Sequence, residues 1–560
     1  MHAPVQLKET NNISFNSRTV PGAAAMCLGA VALPVLFWLP PAAAQQLTAS
    51  QIDPDPPSAL TVPARQLSES EREALLQKKL QIRQRMAAIA DATAPAAPPG
   101  LPAVAGRETR VVDYEAQYPG TPSSLVIGRN NKNTRANVSP SGSTLAEPSA
   151  ANEGIQVLSA GNYDHAEYSV DGGVNWTNIA LPAGPADAPD LCCDNDIVYD
   201  QARGVTFLSS LYLNAAGTNS VVRIFVFRSM NAPYACSYTF DQAGTANNIL
   251  MDFPHLGISN NFVYLSSNDI PTSGSQNARM RKINADNMAD CVSASLSTYS
   301  VPSTTYGQRV WRPVKSARGT MYWGHFDNST TLRIYSWVDS GATSTSVTST
   351  TRTLSATTFG NPDCRGGTGN RDWTDSLWGS ITGFNVNGTV GGGRLTFFWN
   401  AAADASHTQG HVHGAVFSES GLSLLAQPRI YNSTACFGIP TVAANDRGDL
   451  GLSIAYGGKS GGGGAAAQGY VGEDDDFTSG FGVFGTVYKT ASGTDNRTDQ
   501  RYGDYFTVHP HSPCRLFFNA TNYALSGGTS TTNVNSRYVE FGRGRDQKCY
   551  DRWKSAVPTL

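Results

Sequence analysis

Charged side chains are scarce in this sequence. Asp, Glu, Lys and Arg make up 15% of the 560 residues, against roughly 25% in an average soluble protein. The formal net charge is -3, so the chain has no excess of positive charge that would attract a polyanion. This balance excludes nucleic acid as an expected partner.

Long apolar runs are also scarce. The apolar run at 23–38 follows Arg18 and is short for a membrane span, and no second long run follows it. Ala42 and Ala44 supply the small-x-small pattern that signal peptidase requires. We therefore expect residues 1–44 to be a signal peptide, the mature chain to be secreted or periplasmic, and no membrane span to remain after cleavage. An uncleaved anchor is the alternative.

Helical periodicity is confined to one segment near the N-terminus. Residues 68–92 contain strong helix formers, and Ser68 with Glu71 makes a capping box. Proline-rich stretches lie on both sides of this segment. We expect 45–106 to be a linker that contains one helix at 68–92. The helix is interpreted either as a propeptide or docking element or as a solvated spacer.

From residue 107 onward the sequence alternates between short strand-like runs and turn residues. VVRIFVFR (221–228), LRIYSWV (332–338) and RLTFFWN (394–400) are rich in β-branched and aromatic residues. Glycine, with 54 residues, supplies many turn conformations. The pattern predicts an all-β domain over 107–560, and its length favours a six- or seven-bladed β-propeller over a single sandwich.

One motif narrows the fold class further. Residues 169–176, SVDGGVNW, resemble the Asp-box, S-x-D-x-G-x-x-W, of sialidase-type β-propellers. The residues that carry the resemblance are Ser169, Asp171, Gly173 and Trp176. We expect the Asp171 carboxylate to accept backbone hydrogen bonds across a hairpin turn, Gly173 to allow positive φ, and the indole of Trp176 to pack back into its blade.

Other segments are similar to secreted bacterial propellers of the same superfamily. DNDIVYD (194–200), FPHLGI (253–258) and RYGDY (501–505) resemble their D-x-x-V-x-Y-D, F-P-x-L-G-V and R-W-G-D-Y segments. The resemblance implies a sialidase-like propeller with BNR-type repeats. It does not imply sialidase activity, because the early strand at 123–130 lacks the R-I-P-type segment that carries the first catalytic arginine of that family.

The segment 501–505 supplies the first candidate catalytic residues, Arg501, Asp504 and Tyr505. A guanidinium binds a carboxylate in a bidentate way, and an adjacent tyrosine can stack on a sugar. Strand alternation predicts Arg501 and Tyr505 on one face and Tyr502 and Asp504 on the other. The alternative is an ion pair of Arg501 with Asp504 or Asp499.

A second candidate pair, Arg371 and Asp372, lies in the charged loop 363–375. Loops of this kind project functional groups at a propeller mouth, and paired carboxylates can act as acid and base in glycoside cleavage. The alternative is an exposed polar loop with local caps.

Cys27 lies in the expected signal peptide, and the other cysteines form an even set. We expect these eight to form disulfides because the chain is exported. For the adjacent residues Cys192 and Cys193, two separate disulfides are favoured over a redox-active vicinal pair. The eight are Cys192, Cys193, Cys236, Cys291, Cys364, Cys436, Cys514 and Cys549.

His407, His411 and His413 form the one histidine cluster. His411 and His413 share a face if they lie on a strand, which is a spacing that can ligate a metal. No matched carboxylate or cysteine accompanies them in the pattern, so we expect no metal and no cofactor. A structural Ca²⁺ would suit an exported Asp- and Asn-rich propeller, but no loop has EF-hand spacing.

These features predict an exported sialidase-like β-propeller that binds carbohydrate or a cell-surface glycan and leave open whether it also processes the glycan. One alternative is a glycoside hydrolase or polysaccharide lyase. The other is a non-catalytic surface or periplasmic scaffold that binds protein partners.

Overall fold

A computed structural model describes the larger part of the chain. It covers residues 46–57, 70, 71, 74, 101–102, 104–113, 123–133, 146–162, 165–241, 249–271, 276–302, 310–340, 346–360, 362–374, 386–474, 481–528 and 534–554. The expected signal peptide, with Cys27, lies outside these residues. Of the helix expected at 68–92, only Ser70, Glu71 and Ala74 are described, and all three are helical.

Thirty-two strands are found in the described part of the chain. The four N-terminal strands are β1 (Gln46–Ile52), β2 (Val104–Ala105), β3 (Arg110–Asp113) and β4 (Leu125–Lys132). The next twelve are β5 (Ser149–Glu153), β6 (Gln156–Gly161), β7 (His165–Ser169), β8 (Thr177–Ile179), β9 (Asp190–Asp200), β10 (Val205–Leu213), β11 (Ser220–Phe227), β12 (Cys236–Phe240), β13 (Ile249–Ile258), β14 (Phe262–Pro271), β15 (Asn277–Asn284) and β16 (Ala294–Pro302).

The second half of the chain supplies the other strands and the short helices. These strands are β17 (Thr320–Asn328), β18 (Thr331–Val338), β19 (Val347–Thr353), β20 (Arg365–Gly366), β21 (Arg371–Asp372), β22 (Asn387–Gly391), β23 (Arg394–Ala401), β24 (His411–Ser418), β25 (Leu424–Ile430), β26 (Cys436–Ala444), β27 (Leu450–Gly457), β28 (Gln468–Glu473), β29 (Thr486–Ala491), β30 (Val508–Pro510), β31 (Phe518–Leu525) and β32 (Val534–Arg543). The helical segments are Ala285–Asp290, Gly544–Asp546 and Gln547–Trp553.

Strand pairing among the described residues arranges these strands as seven consecutive blades. Blades 1, 2 and 3 are β5–β8, β9–β12 and β13–β16, and blades 5 and 6 are β22–β25 and β26–β29. Blade 4 consists of β17–β19 with the segment 310–315 on its inner side, where the Val314 N–H bonds to the Tyr322 carbonyl. Blade 7 consists of β30–β32. The predicted all-β propeller is confirmed, with seven blades.

The ring is closed by pairing of strands from the two ends of the chain. β4 pairs with β32 and forms the outermost strand of blade 7. β1 pairs antiparallel with β16, the outer strand of blade 3. β2 and β3 pair parallel with β25 and β29, the outer strands of blades 5 and 6. An unpaired outer strand offers free backbone N–H and C=O groups. The segment 45–106 therefore differs from the expected linker, because 46–52 and 104–105 belong to sheets.

Polar side chains of the innermost strands join neighbouring blades near the axis. Thr507 Oγ1, Ser149 Oγ and Asp196 Oδ2 each accept a backbone N–H of the next blade, at 3.1, 2.8 and 2.9 Å. We call this place in each innermost segment the ring position. The contacts link blade 7 to blade 1, blade 1 to blade 2 and blade 2 to blade 3.

Aromatic side chains fill the space between blades 3 and 4. Tyr299 of β16 stacks on Trp311 with ring centroids 5.9 Å apart, and Trp323 stacks on Tyr335 at 5.2 Å. Each ring is at most 3% exposed. Aromatic pairs contribute about 0.5–1.5 kcal/mol each beyond the burial of their area, so this cluster accounts for the aromatic-rich strands of this region.

All eight cysteines expected in disulfides are bonded. The pairs are Cys192–Cys193, Cys236–Cys291, Cys364–Cys436 and Cys514–Cys549. The prediction of two separate disulfides from Cys192 and Cys193 is wrong. These two residues bond to each other within β9, because the other six cysteines pair among themselves.

No helix in the described residues is long and apolar enough to cross a membrane.

Candidate active site on the propeller axis

The innermost strands bring a set of charged residues to the axis. We call the face where these strands begin the upper face and the face where they end the lower face. Two residues before the ring position lie Glu147 in blade 1, Asp194 in blade 2 and, before His255, Phe253 in blade 3. These residues adopt φ of 54°, 54° and 57°. Left-handed backbone in a non-glycine residue costs roughly 1–2 kcal/mol, so the surrounding contacts must hold it.

Glu147 is the centre of this set. Its carboxylate oxygen Oε1 accepts the backbone N–H of Asp504 at 2.7 Å and lies 3.4 Å from Arg501 Nη2. The other oxygen accepts from the side-chain amide of Asn162. Arg501 Nη2 is also 3.3 Å from Asp504 Oδ2. Two buried carboxyl groups therefore share one guanidinium.

This sharing changes the protonation of Glu147. Burial, together with the negative charge of Asp504, raises the pKa of Glu147 to about 8 against the partial compensation by Arg501. A carboxyl group with such a pKa holds a proton at neutral pH. Glu147 is thus a candidate proton donor in acid–base chemistry, with the Asp504 carboxyl group beside it.

Tyr505 lies beside this pair. Its ring packs edge-on against Phe253 and His255, with centroids 6.0 and 5.1 Å apart. The guanidinium of Arg312 lies 5.7 Å from the centre of the Tyr505 ring. The hydroxyl of Tyr505 is buried and has no hydrogen-bond partner among the described residues. An unpaired buried hydroxyl is costly for folding, so this group is available to a ligand.

A second layer of charge lies next to Tyr505 on the axis. Asp196 Oδ2 is 3.3 Å from His255 Nδ1 and 3.5 Å from Lys315 Nζ. Although burial opposes ionisation, Lys315 and His255 lower the pKa of Asp196. Burial, with the nearby charge of Arg312, lowers the pKa of His255 to about 3, so this imidazole is neutral at physiological pH.

The lower face opens into a cavity of about 700 Å³. Lys315 and His509 form its inner wall, and Asn152, Tyr199 and Asn519 are among the other lining residues. Burial and the charge of Lys315 lower the pKa of His509 to about 3. Lys315 thus contacts Asp196 on one side and lines the lower cavity on the other.

The three predicted residues Arg501, Asp504 and Tyr505 are all part of this cluster, but the predicted alternation is wrong. Arg501 and Asp504 form an ion pair instead of pointing to opposite faces. The segment is not a regular strand, and Gly503 between them has φ of 146°. Tyr502 packs in the core on Tyr523, with ring centroids 4.3 Å apart.

The other predicted pair, Arg371 and Asp372, does not join the axial cluster. Arg371 Nη1 is 2.9 Å from Asp495 Oδ2. Asp372 Oδ1 accepts the backbone N–H groups of Cys364 at 2.9 Å and of Thr374 at 2.8 Å. These contacts fix the loop that carries β20 and β21.

The Asp-box segment forms a turn between β7 and β8 on the lower face. Asp171 Oδ1 accepts the backbone N–H groups of the two residues before Trp176, at 3.0 and 2.9 Å, and Ser169 Oγ accepts that of Gly173 at 2.8 Å. As expected, Trp176 packs back toward its own blade, against a hydrophobic cluster that combines Ala150 and Val157 of blade 1 with Tyr538 of blade 7. Its ring contacts Tyr538 of blade 7 edge-on, with centroids 6.3 Å apart.

Sequence reasoning missed Glu147, Asp194 and Arg312. Two of the left-handed residues precede a proline and then a polar residue, in Glu-Pro-Ser at 147–149 and Phe-Pro-His at 253–255, and Ile-Pro-Thr at 439–441 repeats the pattern. Ile-Pro-Thr also occurs at 270–272, at the end of β14, which is not an innermost strand, so the triplet alone would not have located Glu147.

Comparisons with known proteins give similarity in fold alone. No family model matches the chain, and no curated protein matches its sequence. An alpha-L-arabinanase of Penicillium chrysogenum, solved with arabinobiose, is 10% identical, with a TM-score of 0.36 over 75% of this chain and 99% of that one. NanB sialidase from Streptococcus pneumoniae is 10% identical, with a TM-score of 0.34 over 74% and 71% of the two chains.

Proposed function

We propose that the protein is an exported β-propeller that binds carbohydrate and cleaves glycosidic bonds at the axial cluster. The observation that carries the proposal is the buried Glu147–Asp504 pair beside the unpartnered hydroxyl of Tyr505. Glycoside cleavage requires a protonated acid near the leaving oxygen and an ionised group opposite it. Glu147 supplies the acid, and Asp504 supplies the second group. The pKa of Tyr505 is raised well above its ordinary value by burial, so its neutral hydroxyl can only donate or accept a hydrogen bond.

The remaining charges suit substrate binding. The guanidinium groups of Arg501 and Arg312 approach the cluster from blades 7 and 4, and they can bind hydroxyl or carboxylate oxygens of a sugar. Glu147, Arg501 and Tyr505 are each at most 5% exposed.

Export is supported by the cysteines. All eight cysteines in the described residues form disulfides, and disulfides persist in oxidising compartments outside the cytoplasm. N-terminal sequencing of the mature protein tests this part. We expect it to begin near residue 45, and an intact N-terminus in the cytoplasmic fraction would contradict export.

Turnover is tested with a panel of neutral and acidic oligosaccharides and chromogenic glycosides, followed by mass spectrometry of the products. We expect the wild-type chain to cleave one class and Glu147→Gln to lose at least about 100-fold in kcat, the usual contribution of a general acid. Asp171→Asn is the control because the Asp-box turn lies on the opposite face. If Glu147→Gln cleaves like the wild type, the assignment is wrong.

The lower cavity favours a second function, which is glycan binding without cleavage. Its volume of about 700 Å³ and its amide, hydroxyl and ammonium groups suit a sugar chain. Arg515 lines this cavity and is about one-third exposed. Binding on a glycan array that Arg515→Ala abolishes and Glu147→Gln leaves intact would place the ligand in the lower cavity, while the reverse pattern would place it at the axial cluster.

A further inference from the structure

Blade 5 carries a cluster of metal-ligating side chains that the axial site does not use. His411 and His413 lie on β24 with their Nε2 atoms 2.8 Å apart. Asp404 Oδ2, from the loop between β23 and β24, is 3.6 Å from His411 Nε2. One ligand atom of each of the three residues lies within 4.8 Å of the others. We propose that Asp404, His411 and His413 bind a divalent transition metal, with Zn²⁺ as the preferred ion.

The sequence pattern predicted no metal here because it offered two histidines and no matched carboxylate. The loop supplies the missing ligand. Asp404 Oδ1 caps its own turn by accepting the backbone N–H groups of Ser406 and His407, both at 2.8 Å. This cap fixes the carboxylate, whose Oδ2 lies 3.2 Å from His407 Nδ1 and 3.6 Å from His411 Nε2.

The hydrogen bond on the other side of His411 selects its tautomer. His411 Nδ1 is 3.1 Å from the carbonyl oxygen of Gln409 and must donate to it. His411 Nε2 therefore carries a lone pair. A backbone carbonyl on the distal nitrogen is the usual arrangement for a metal-ligating histidine.

His413 has an equivalent partner. Its Nδ1 lies 3.0 Å from Thr357 Oγ1, which also accepts the indole N–H of Trp399 at 3.1 Å. Without metal, the short contact between the two Nε2 atoms requires a proton on His413 Nε2. Metal binding moves this proton to His413 Nδ1, where Thr357 Oγ1 accepts it, so the ring stays neutral and no proton is released.

The spacing requires a small adjustment. Two nitrogen ligands at the usual Zn–N distance of about 2.0–2.1 Å lie about 3.3 Å apart in a tetrahedral site, so the imidazoles must separate by about 0.5 Å. His411 and His413 are buried, whereas the side chain of Asp404 is 26% exposed. The ion enters from the Asp404 side, and water or His407, whose ring lies 4.3 Å from that of His411, supplies the fourth ligand.

One nearby charge weakens the site. Arg429 pairs with His413 across β24 and β25, and its guanidinium Nη1 lies 3.1 Å from the carbonyl oxygen of Pro428. Its positive charge opposes a bound cation, so we expect lower affinity than that of a closed four-ligand structural zinc site. Imidazole ligands favour Zn²⁺, Ni²⁺ or Cu²⁺ over Ca²⁺ and Mg²⁺.

The test is calorimetric titration of Zn²⁺ into the chelator-treated full-length protein. We expect one equivalent to bind and Asp404→Asn to weaken binding at least tenfold, since even loss of an outer-shell partner costs about 10–100-fold. Asp327→Asn is the matched control. It removes a carboxylate that also pairs with a histidine, with 3.1 Å between Asp327 Oδ1 and His325 Nε2, and it lies outside the proposed site. Unchanged affinity in Asp404→Asn, or no saturable Zn²⁺ binding by the wild type, would overturn the proposal.

A second measurement needs no variant. Co²⁺ in a four-coordinate nitrogen and oxygen site absorbs visible light much more strongly than octahedral Co²⁺. We expect the wild-type protein to show this strong absorption at one equivalent of Co²⁺ and to lose it when Zn²⁺ is added. A weak octahedral spectrum that Zn²⁺ does not change would contradict the site even if Asp404→Asn does not fold.

Discussion

Replacing Glu147 by Gln should remove one specific pH dependence from the stability of the propeller. Folding raises the pKa of Glu147 from 4.5 to about 8, mainly by burial. Between these two values the folded state holds a proton that the unfolded state has lost. The contribution of Glu147 to the free energy of unfolding must therefore fall as the pH rises through this window.

The magnitude follows from the size of the shift. One proton contributes about 1.4 kcal/mol per pH unit, so this group alone lowers the stability of the wild type by up to about 3 kcal/mol between pH 6 and pH 8. The histidines do not produce this fall. The pKa values of His255 and His509 are lowered from 6.5 to about 3, so their contribution to stability rises with pH until slightly above the ordinary histidine pKa and opposes the fall between pH 6 and about 7.

Chemical denaturation at a series of pH values measures the difference. We expect the free energy of unfolding of the wild type minus that of Glu147→Gln to fall by up to about 3 kcal/mol between pH 6 and pH 8. Asn162→Ala is the control, because it removes a donor to Glu147 but keeps the carboxyl group. The Asn162→Ala variant should have a lower free energy of unfolding at every pH, with the same pH dependence as the wild type. Parallel curves for the wild type and Glu147→Gln would refute the view that Glu147 holds the proton.

Three further variants test other parts of the structure by the same denaturation assay. Tyr505→Phe removes a buried hydroxyl without a described partner, so we expect equal or higher stability, by up to about 1 kcal/mol, together with lower turnover. Asp171→Ala removes the acceptor for two backbone N–H groups of the Asp-box turn, and a loss of about 1–2 kcal/mol is expected by analogy with helix caps. Replacing Cys514 and Cys549 by Ser opens a loop with a sequence separation of 35 and should cost about 4 kcal/mol. No change in either of the last two variants would contradict the structural role of the turn or the crosslink.

The propeller could be predicted from the sequence because local signals specify its parts. Short β-branched and aromatic runs between turn residues define strands, and the Asp-box at 169–176 defines one hairpin. The number of blades could not be read in the same way. Blade 4 has an irregular inner segment at 310–315, and the last strand of blade 7 is β4, which comes from the N-terminal part of the chain.

The candidate site was predictable only where its residues are neighbours in sequence. Arg501, Asp504 and Tyr505 lie within five residues and were identified together. Glu147 is 354 residues from Arg501, and only ring closure brings the two side chains into contact. A single sequence contains no signal for a contact at that separation.

The residues at the ring position differ between blades, and this difference shows which of them the stability of the ring requires. A hydroxyl is sufficient to bind the N–H of the next blade, as Ser149 and Thr507 show. In blade 2 the same bond is made by Asp196, whose buried charge requires Lys315 and His255 from the two following blades. A buried charge network of this kind is often no more stabilising than apolar packing of the same volume. The fold has no need of these charges, and their concentration on the axis next to Glu147 and Tyr505 is therefore better explained by the chemistry of a ligand than by the stability of the ring.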